Sequence, residues 1–228
     1  MVLGGLALAV PAAGDAPRRN RPGAGTANPS ALVATEIAFN RMAREKGQWT
    51  AFREYADEAG VMFVSDPVLA RDWLKGRADP LEPVQWEPYR VWMSCDGTLG
   101  VTEGSWTRPD GTFGYYTTIW KRQKKGEYRW VLDQGDALAA PLEKPDWLTA
   151  SVADCPAPQP WAARPERKED GKVAIPAPGP AGGGASADGT LRWTYAVAPD
   201  KSRELTIALV KDGQPVGLRF TAAAPKAP

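Results

Sequence analysis

The chain has 228 residues with 28 basic and 27 acidic side chains, a net charge of +1, so no overall field draws it to nucleic acid or to an acidic membrane. It contains no histidine, which excludes Ser-His-Asp and Cys-His nucleophile sites and histidine-ligated zinc together. Ten tryptophans are a heavy aromatic load, and each ring needs a core, a pocket or an interface.

Residues 2–10 form an apolar run that ends at Pro11-Ala12-Ala13. The run is too short for a bilayer, which needs ~20 residues, so no stable membrane span is expected. It fits the apolar segment of a secretory signal, with Val10 and Ala12 at the small-residue positions before cleavage, although only Met1 precedes it. Residues 1–13 therefore read as a signal peptide, which predicts a periplasmic or secreted protein. Residues 14–30, rich in Pro, Gly, Ala, Asn and Arg, read as a disordered leader.

Ser30 is the expected N-cap of a first helix running to about Lys46, with Leu32, Ile37, Phe39, Met42 and Ala43 as its apolar stripe and Gly47 as its stop. A second helix is expected over residues 49–59, burying Trp49, Phe52, Tyr55 and Ala56. Then come a short strand at 61–64, a break at Asp66-Pro67 and a short helix at 69–74.

From residue 84 the period changes to that of strands. Runs at 84–93, 99–107, 112–122 and 128–132 are separated by Asp96-Gly97, Pro109-Asp110-Gly111 and Lys124-Lys125-Gly126, the pattern of an antiparallel meander. With Gly111 in the left-handed position of a three-residue loop, Arg108 faces Thr112, Trp106 faces Gly114, Gly104 faces Tyr116 and Gly100 faces Trp120. The next turn sets Gln123 opposite Glu127 and Trp120 opposite Trp130. One face then collects Thr102, Trp106, Tyr116, Thr118, Trp120, Trp130 and Gln134, and the other Val101, Glu103, Ser105, Tyr115, Thr117, Ile119, Val131 and Asp133. The aromatic face is assigned to the concave, helix-covered side, because its glycines let the sheet bend. The register around Asp96-Gly97 stays ambiguous, and with it the direction of Trp86 and Trp92.

Cys95 lies in the turn Ser94-Cys95-Asp96-Gly97 and Cys155 in a Pro-rich segment. No metal spacing such as CxxC is present, so a disulfide pinning the tail onto the sheet is favoured over two unrelated thiols. Closing a loop of that length contributes about 4 kcal/mol in the chain-entropy model. Residues 139–186 read as a Pro/Gly/Ala-rich linker. The alternations Leu191-Trp193-Tyr195-Val197, Leu205-Ile207-Leu209 and Val216-Leu218-Phe220 give a C-terminal meander over 187–222, too small for a core of its own and expected to dock on the main domain.

Two helices, a short strand, a short helix and a long meander, over residues 31–138, resemble the nuclear-transport-factor-2-like (SnoaL-like, cystatin-like cone) superfamily. The segment Gly114-Tyr-Tyr-Thr-Thr-Ile-Trp-Lys-Arg-Gln123, then Trp130-Val-Leu-Asp133, together with Glu36, Phe39 and Lys46-Gly47, carries the resemblance. It implies an α+β fold of helices on a curved antiparallel sheet, and a cone pocket lined at Thr118, the residue two before the strand tryptophan. Members resembling ketosteroid isomerase need a pocket carboxylate as base and an acidic donor, usually tyrosine. Tyr116 is the donor candidate here, while no carboxylate falls on the assigned pocket face of the sheet.

The leading expectation is therefore an exported, non-catalytic module that holds a small apolar or amphipathic molecule against Thr102, Trp106, Tyr116, Thr118, Trp120, Trp130 and Gln134, without metal or cofactor. Core packing is the competing reading for Trp120 and Trp130. An acid/base isomerase or dehydratase is the alternative and requires Glu36, Asp133 or Glu103 to reach the cavity; a solvated helix residue is the plainer reading of Glu36. A third reading is a homodimer through the convex face at Glu103, Tyr115, Thr117, Ile119 and Val131.

Overall fold

The computed structural model describes residues 27–155 and 177–222. The expected signal peptide at 1–13, and the leader up to residue 26, lie outside them. The described chain is a mixed α+β fold with a large curved sheet and few helices: α1 Pro29–Lys46, α2 Gln48–Tyr55 and α3 Ala70–Leu74, with strands β1 Ala56–Val64, β2 Asp66–Leu69, β3 Gln85–Met93, β4 Leu99–Thr107, β5 Phe113–Arg122, β6 Tyr128–Ala137, β7 Thr149–Val152, β8 Ala181–Ala185, β9 Leu191–Val197, β10 Arg203–Lys211 and β11 Gln214–Ala222.

Helix α1 begins two residues earlier than Ser30 predicts. Asn28 is the cap, its side-chain oxygen accepting from the Ala31 N–H at 3.2 Å, and Pro29, which has no N–H to satisfy, opens the helix. The buried face is Leu32, Glu36, Phe39, Asn40 and Ala43. That spacing excludes Ile37, which is 57% exposed, and puts a carboxylate in a core position. Helix α2 stops at Tyr55, four residues short of expectation. Ala56 is fully buried as the partner of Trp130 in a parallel pairing, and tertiary packing there overrides helix propensity.

The main sheet has seven strands in the order β2-β1-β6-β5-β4-β3-β7, parallel at β1/β6 and β3/β7 and antiparallel elsewhere. The expected registers occur: Gly100 faces Trp120, Gly104 faces Tyr116 and Trp106 faces Gly114. A Cβ at Gly114 would fall 2.4 Å from the Trp106 ring, so the small-against-large pairing is obligatory there. Besides a register shift in β1 between Ala56 and Val61, two bulges break the simple alternation of the meander. One in β3, between Pro88 and Arg90, sends Trp86 to the helix side and Trp92 to the opposite side, settling their directions. The other, at Val131, lies between the pairs Ile119↔Leu132 and Trp120↔Trp130. It reverses the face of everything downstream in β6.

The segment expected as a linker is ordered at both ends. Strand β7 joins the main sheet beside β3, which extends that sheet past residue 138, and β8 forms the edge of a second, four-stranded sheet ordered β11-β10-β9-β8. The glycines of β8 serve packing: a Cβ on Gly182 or Gly184 would strike the Tyr195 or Trp193 ring. Leu191, Trp193, Tyr195, Leu205, Ile207 and Leu209 share a core with Val101, Ile119 and Leu132 on the convex face of the main sheet. Thr117 and Ile119 are fully buried. Of the face expected to pair two copies, Thr117 and Ile119 are covered within the chain, while Glu103, Tyr115 and Val131 are half-buried.

Two turns clasp the sheets together. Ser94-Cys-Asp-Gly-Thr-Leu99 and Ser186-Ala-Asp-Gly-Thr-Leu191 share one pattern and exchange bonds reciprocally: the Asp96 N–H donates to Asp188 Oδ2 and the Asp188 N–H to Asp96 Oδ2, each at 2.9 Å. The Cys95 N–H donates to Thr190 Oγ1 at 3.0 Å and the Ala187 N–H to Thr98 Oγ1 at 2.9 Å. Beside this clasp the Cys95–Cys155 disulfide, with a Cα separation of 5.1 Å, ties the end of β7 down. Asp188 also accepts from Ser186 and Thr190, and these donors hold its carboxyl below the usual range. Asp188→Ala strands several donors at once and should lower unfolding stability by about 3 kcal/mol in a urea titration. A double-mutant cycle with Asp96→Ala should give a coupling of about 1 kcal/mol or more; strict additivity would show that the two turns do not depend on each other.

Candidate acid/base site

A cavity of about 340 Å³ opens between α1, α2 and the concave face of the main sheet, near the lower end of the ~300–1,000 Å³ of small-molecule sites. Its walls are mainly Phe39, Phe52, Met62, Trp86 and Trp106, with Gln48, Arg108 and Asp136 as polar edges. The Arg108 guanidinium lies over the Trp106 ring, 4.7 Å from its centroid, and Trp106 Nε1 donates to the Tyr115 carbonyl at 2.8 Å, so that ring is fixed from both sides. The Gln48 side chain accepts from the Val84 N–H at 2.9 Å and ties the strand-leading loop to α2.

The expected pocket residues divide into three groups. Trp106, Tyr116 and Thr118 line the cavity. Thr102, Trp120 and Trp130 are fully buried behind it, where Trp120 and Trp130 belong to the helix-side core. Gln134 borders the cavity, yet its amide donates to Thr117 Oγ1 at 3.5 Å and accepts from Arg203 Nε at 3.1 Å, on the face of the second sheet. The assignment of Gln134 as polar trim is corrected on that account: the bulge at Val131 turns it away.

The same bulge brings Asp133 to the cavity, against the expectation that no sheet carboxylate faces it. Asp133 pairs with Thr118 across β5/β6 and accepts from Thr118 Oγ1 at 2.7 Å. Burial pushes its carboxyl up to about 7, opposed by the Thr118 bond and by Arg203 from β10. Tyr116, two residues before Thr118 on the same face of β5, has a buried hydroxyl with no hydrogen-bond partner among the described residues. Burial, and then the carboxylates Glu36 and Asp133, hold its phenol well above the usual value, so it remains a proton-bearing donor.

Glu36 is not a solvated helix residue. It is completely buried behind the cavity, where its Oε1 accepts from Trp86 Nε1 at 2.6 Å and its Oε2 from Thr102 Oγ1 at 2.5 Å. Thr102 Oγ1 in turn accepts from Trp120 Nε1 at 2.9 Å. Burial pushes Glu36 up to about 7, the Thr102, Trp86 and Trp120 bonds pull it down, and Asp133 adds to the rise. Thr102 and Trp120 thus support a carboxylate instead of a ligand. Glu103, the third carboxylate considered, pairs with Arg90 at 2.7 Å and lies one residue off the cavity row. The signal for Glu36 is in the sequence: it falls four residues after Leu32 and three before Phe39, on the buried stripe.

No protein-family model and no curated protein matches this sequence. Similar solved structures include a candidate ketosteroid isomerase of Parabacteroides distasonis ATCC 8503, at 13% identity and a TM-score of 0.40, covering 50% of this chain and 96% of that one. Another is a candidate aromatic ring hydroxylase of Novosphingobium aromaticivorans DSM, at 14% identity and a TM-score of 0.36, covering 49% of this chain and 89% of that one. Likeness at this level bears on no residue of the site, whose chemistry rests on its own geometry. Among the described residues no helix is long and apolar enough to cross a membrane.

The raised carboxyls make a signed prediction for stability. A carboxyl with a higher pKa folded than unfolded favours folding while protonated; its contribution is full below the ordinary range near about 4 and is lost as pH rises through about 7. Asp133→Asn carries no such loss. Between about pH 4 and pH 8 its stability relative to the unmodified protein should therefore improve by about 2–4 kcal/mol in urea unfolding. Curves that stay parallel over that range would mean Asp133 is not desolvated.

Proposed function

We propose that this chain holds a small, largely apolar molecule bearing a carbonyl-type oxygen in the cone cavity and moves a proton on it. Asp133 takes a proton from the carbon next to the carbonyl, Tyr116 donates a hydrogen bond to the oxygen that gains charge, and Asp133 returns the proton at another carbon. The bond order shifts along the ligand, no electrons are gained or lost, and the enzyme ends as it began. The observation that carries this reading is the pairing, on one apolar wall, of a cavity carboxyl poised near neutrality with a buried phenol that has no partner among the described residues. A carboxyl with a pKa of about 7 can both accept and release a proton at neutral pH.

Two further features support the setting. The walls around the half-buried carboxyl are largely apolar, which strengthens its interactions inside the cavity. The Cys95–Cys155 disulfide supports residence in an oxidising compartment, the periplasm or the exterior, as the sequence of residues 1–13 also does.

The test is isomerisation and solvent-deuterium incorporation in a panel of small β,γ-unsaturated cyclic ketones, followed by proton NMR. The unmodified protein should accelerate exchange at the carbon flanked by carbonyl and alkene, Asp133→Asn should lose about 100-fold or more, and Tyr116→Phe should lose less. Trp86, Trp106 and Trp49 line the cavity, so phenols that mimic the enolate should quench tryptophan fluorescence on binding. Equal exchange rates in the unmodified protein and Asp133→Asn would remove the catalytic reading.

A further inference from the structure

The two carboxylates belong to one row that runs across the sheet. Glu36 of α1 accepts from Thr102 of β4; Thr102 stands directly opposite Thr118 of β5; Thr118 stands opposite Asp133 of β6 and donates to it. Both threonines are buried to 1% or less, so little water separates the ends of the row. A like charge at each end of such a dry path cannot be screened as it would be at the surface. At the α1 end, the Trp86 and Trp120 indoles, which can only donate, close the network around Glu36.

We infer that Glu36 is a positioning residue of the site: it shares a single negative charge with Asp133 along the Thr102–Thr118 row and fixes the Trp86 indole against the cavity. The inference rests on the proposed proton-transfer role of Asp133 and names the residue that sets when Asp133 carries its proton. The charged and titratable groups facing the pair are few. Tyr116 comes from β5; Arg203, from β10, donates to the Gly135 carbonyl at 2.6 Å on the far side of β6; Asp136 and Arg108 stand at the cavity edge. Glu36 itself is held by the donors Trp86 and Thr102, and Thr102 in turn by Trp120.

The experiment is a carbon-13 carboxyl NMR titration of the full chain, with the Trp86 indole N–H as a second probe. In the unmodified protein, the Glu36 and Asp133 signals should each move in two steps, and the Trp86 N–H should follow both. In Glu36→Gln the Asp133 midpoint should fall by about one pH unit, because the repelling charge is gone, and become a single step. A one-step Asp133 titration in the unmodified protein, or an unmoved midpoint in Glu36→Gln, overturns the inference. Where Glu36→Gln does not fold, the two-step titration of the unmodified protein decides alone. The two claims separate cleanly. Lost ketone exchange in Asp133→Asn with one-step titrations would sink the coupling and keep the reaction, whereas two-step titrations with unchanged exchange would do the reverse.

Discussion

One extra residue in β6 decides which side of the main sheet carries a carboxylate. Without the bulge at Val131, strict alternation from the Trp120–Trp130 pair would place Leu132 and Gln134 toward the helices and Asp133 toward the second sheet. With it, Leu132 joins the core between the sheets, and Asp133 enters the cavity beside Thr118. A bulge of this kind costs a ladder pairing and leaves one residue unmatched. It is compensated because both products of the reversal are well placed: an apolar Leu132 in an apolar layer, and an aspartate with a hydroxyl donor opposite.

Keeping two carboxyls in the interior opposes folding, since an isolated buried charge is far costlier than one in water. The surroundings limit that cost by supplying donors rather than cations. Glu36 has an indole and a hydroxyl, Asp133 a hydroxyl, and Arg203, whose charge acts on Asp133, lies across β6 bonding to Gln134 and the Gly135 carbonyl. A direct salt bridge would have pulled either carboxyl down and fixed its charge. Neutral donors instead hold the groups in place and leave the proton exchangeable near neutral pH. Stability given up in this way is a pattern common at functional sites.

Much of the fold is legible in the residues, and the illegible parts have specific causes. Hairpin registers at Gly111 and Gly126 follow from turn chemistry, because glycine at positive φ sets the loop length: φ is 84° at Gly111 and 98° at Gly126. Neither bulge is marked by a Gly, so the alternation from those turns runs past Val131 and misplaces Asp133 and Gln134 by one face. Ile37 masks Glu36, since a hydrophobic residue beside a glutamate draws the stripe to itself. The repeated Ser-x-Asp-Gly-Thr-Leu is plain once the turns at Asp96 and Asp188 are set side by side; each taken alone is an ordinary hairpin signal. The glycines of β8 read as a flexible linker because composition does not record the rings of Trp193 and Tyr195 that they accommodate.

The second sheet is more than a cover for the convex face. Its strand β10 sends Arg203 to β6, where the guanidinium holds the Gln134 side chain and the Gly135 carbonyl, the two residues that follow Asp133. The Arg203 guanidinium also lies 5.1 Å from the centroid of the Phe63 ring of β1, the strand that flanks β6 on its other side. The strand end that carries Asp133 is therefore held from both faces, by Thr118 within the cavity and by Arg203 behind it. Because the clasp of Asp96 with Asp188 anchors that second sheet, the position of the cavity carboxylate depends on contacts made at the other end of the strands. A rigid backing of this kind is what the proposed proton transfer would require, since small displacements of a reacting carboxylate cost rate steeply.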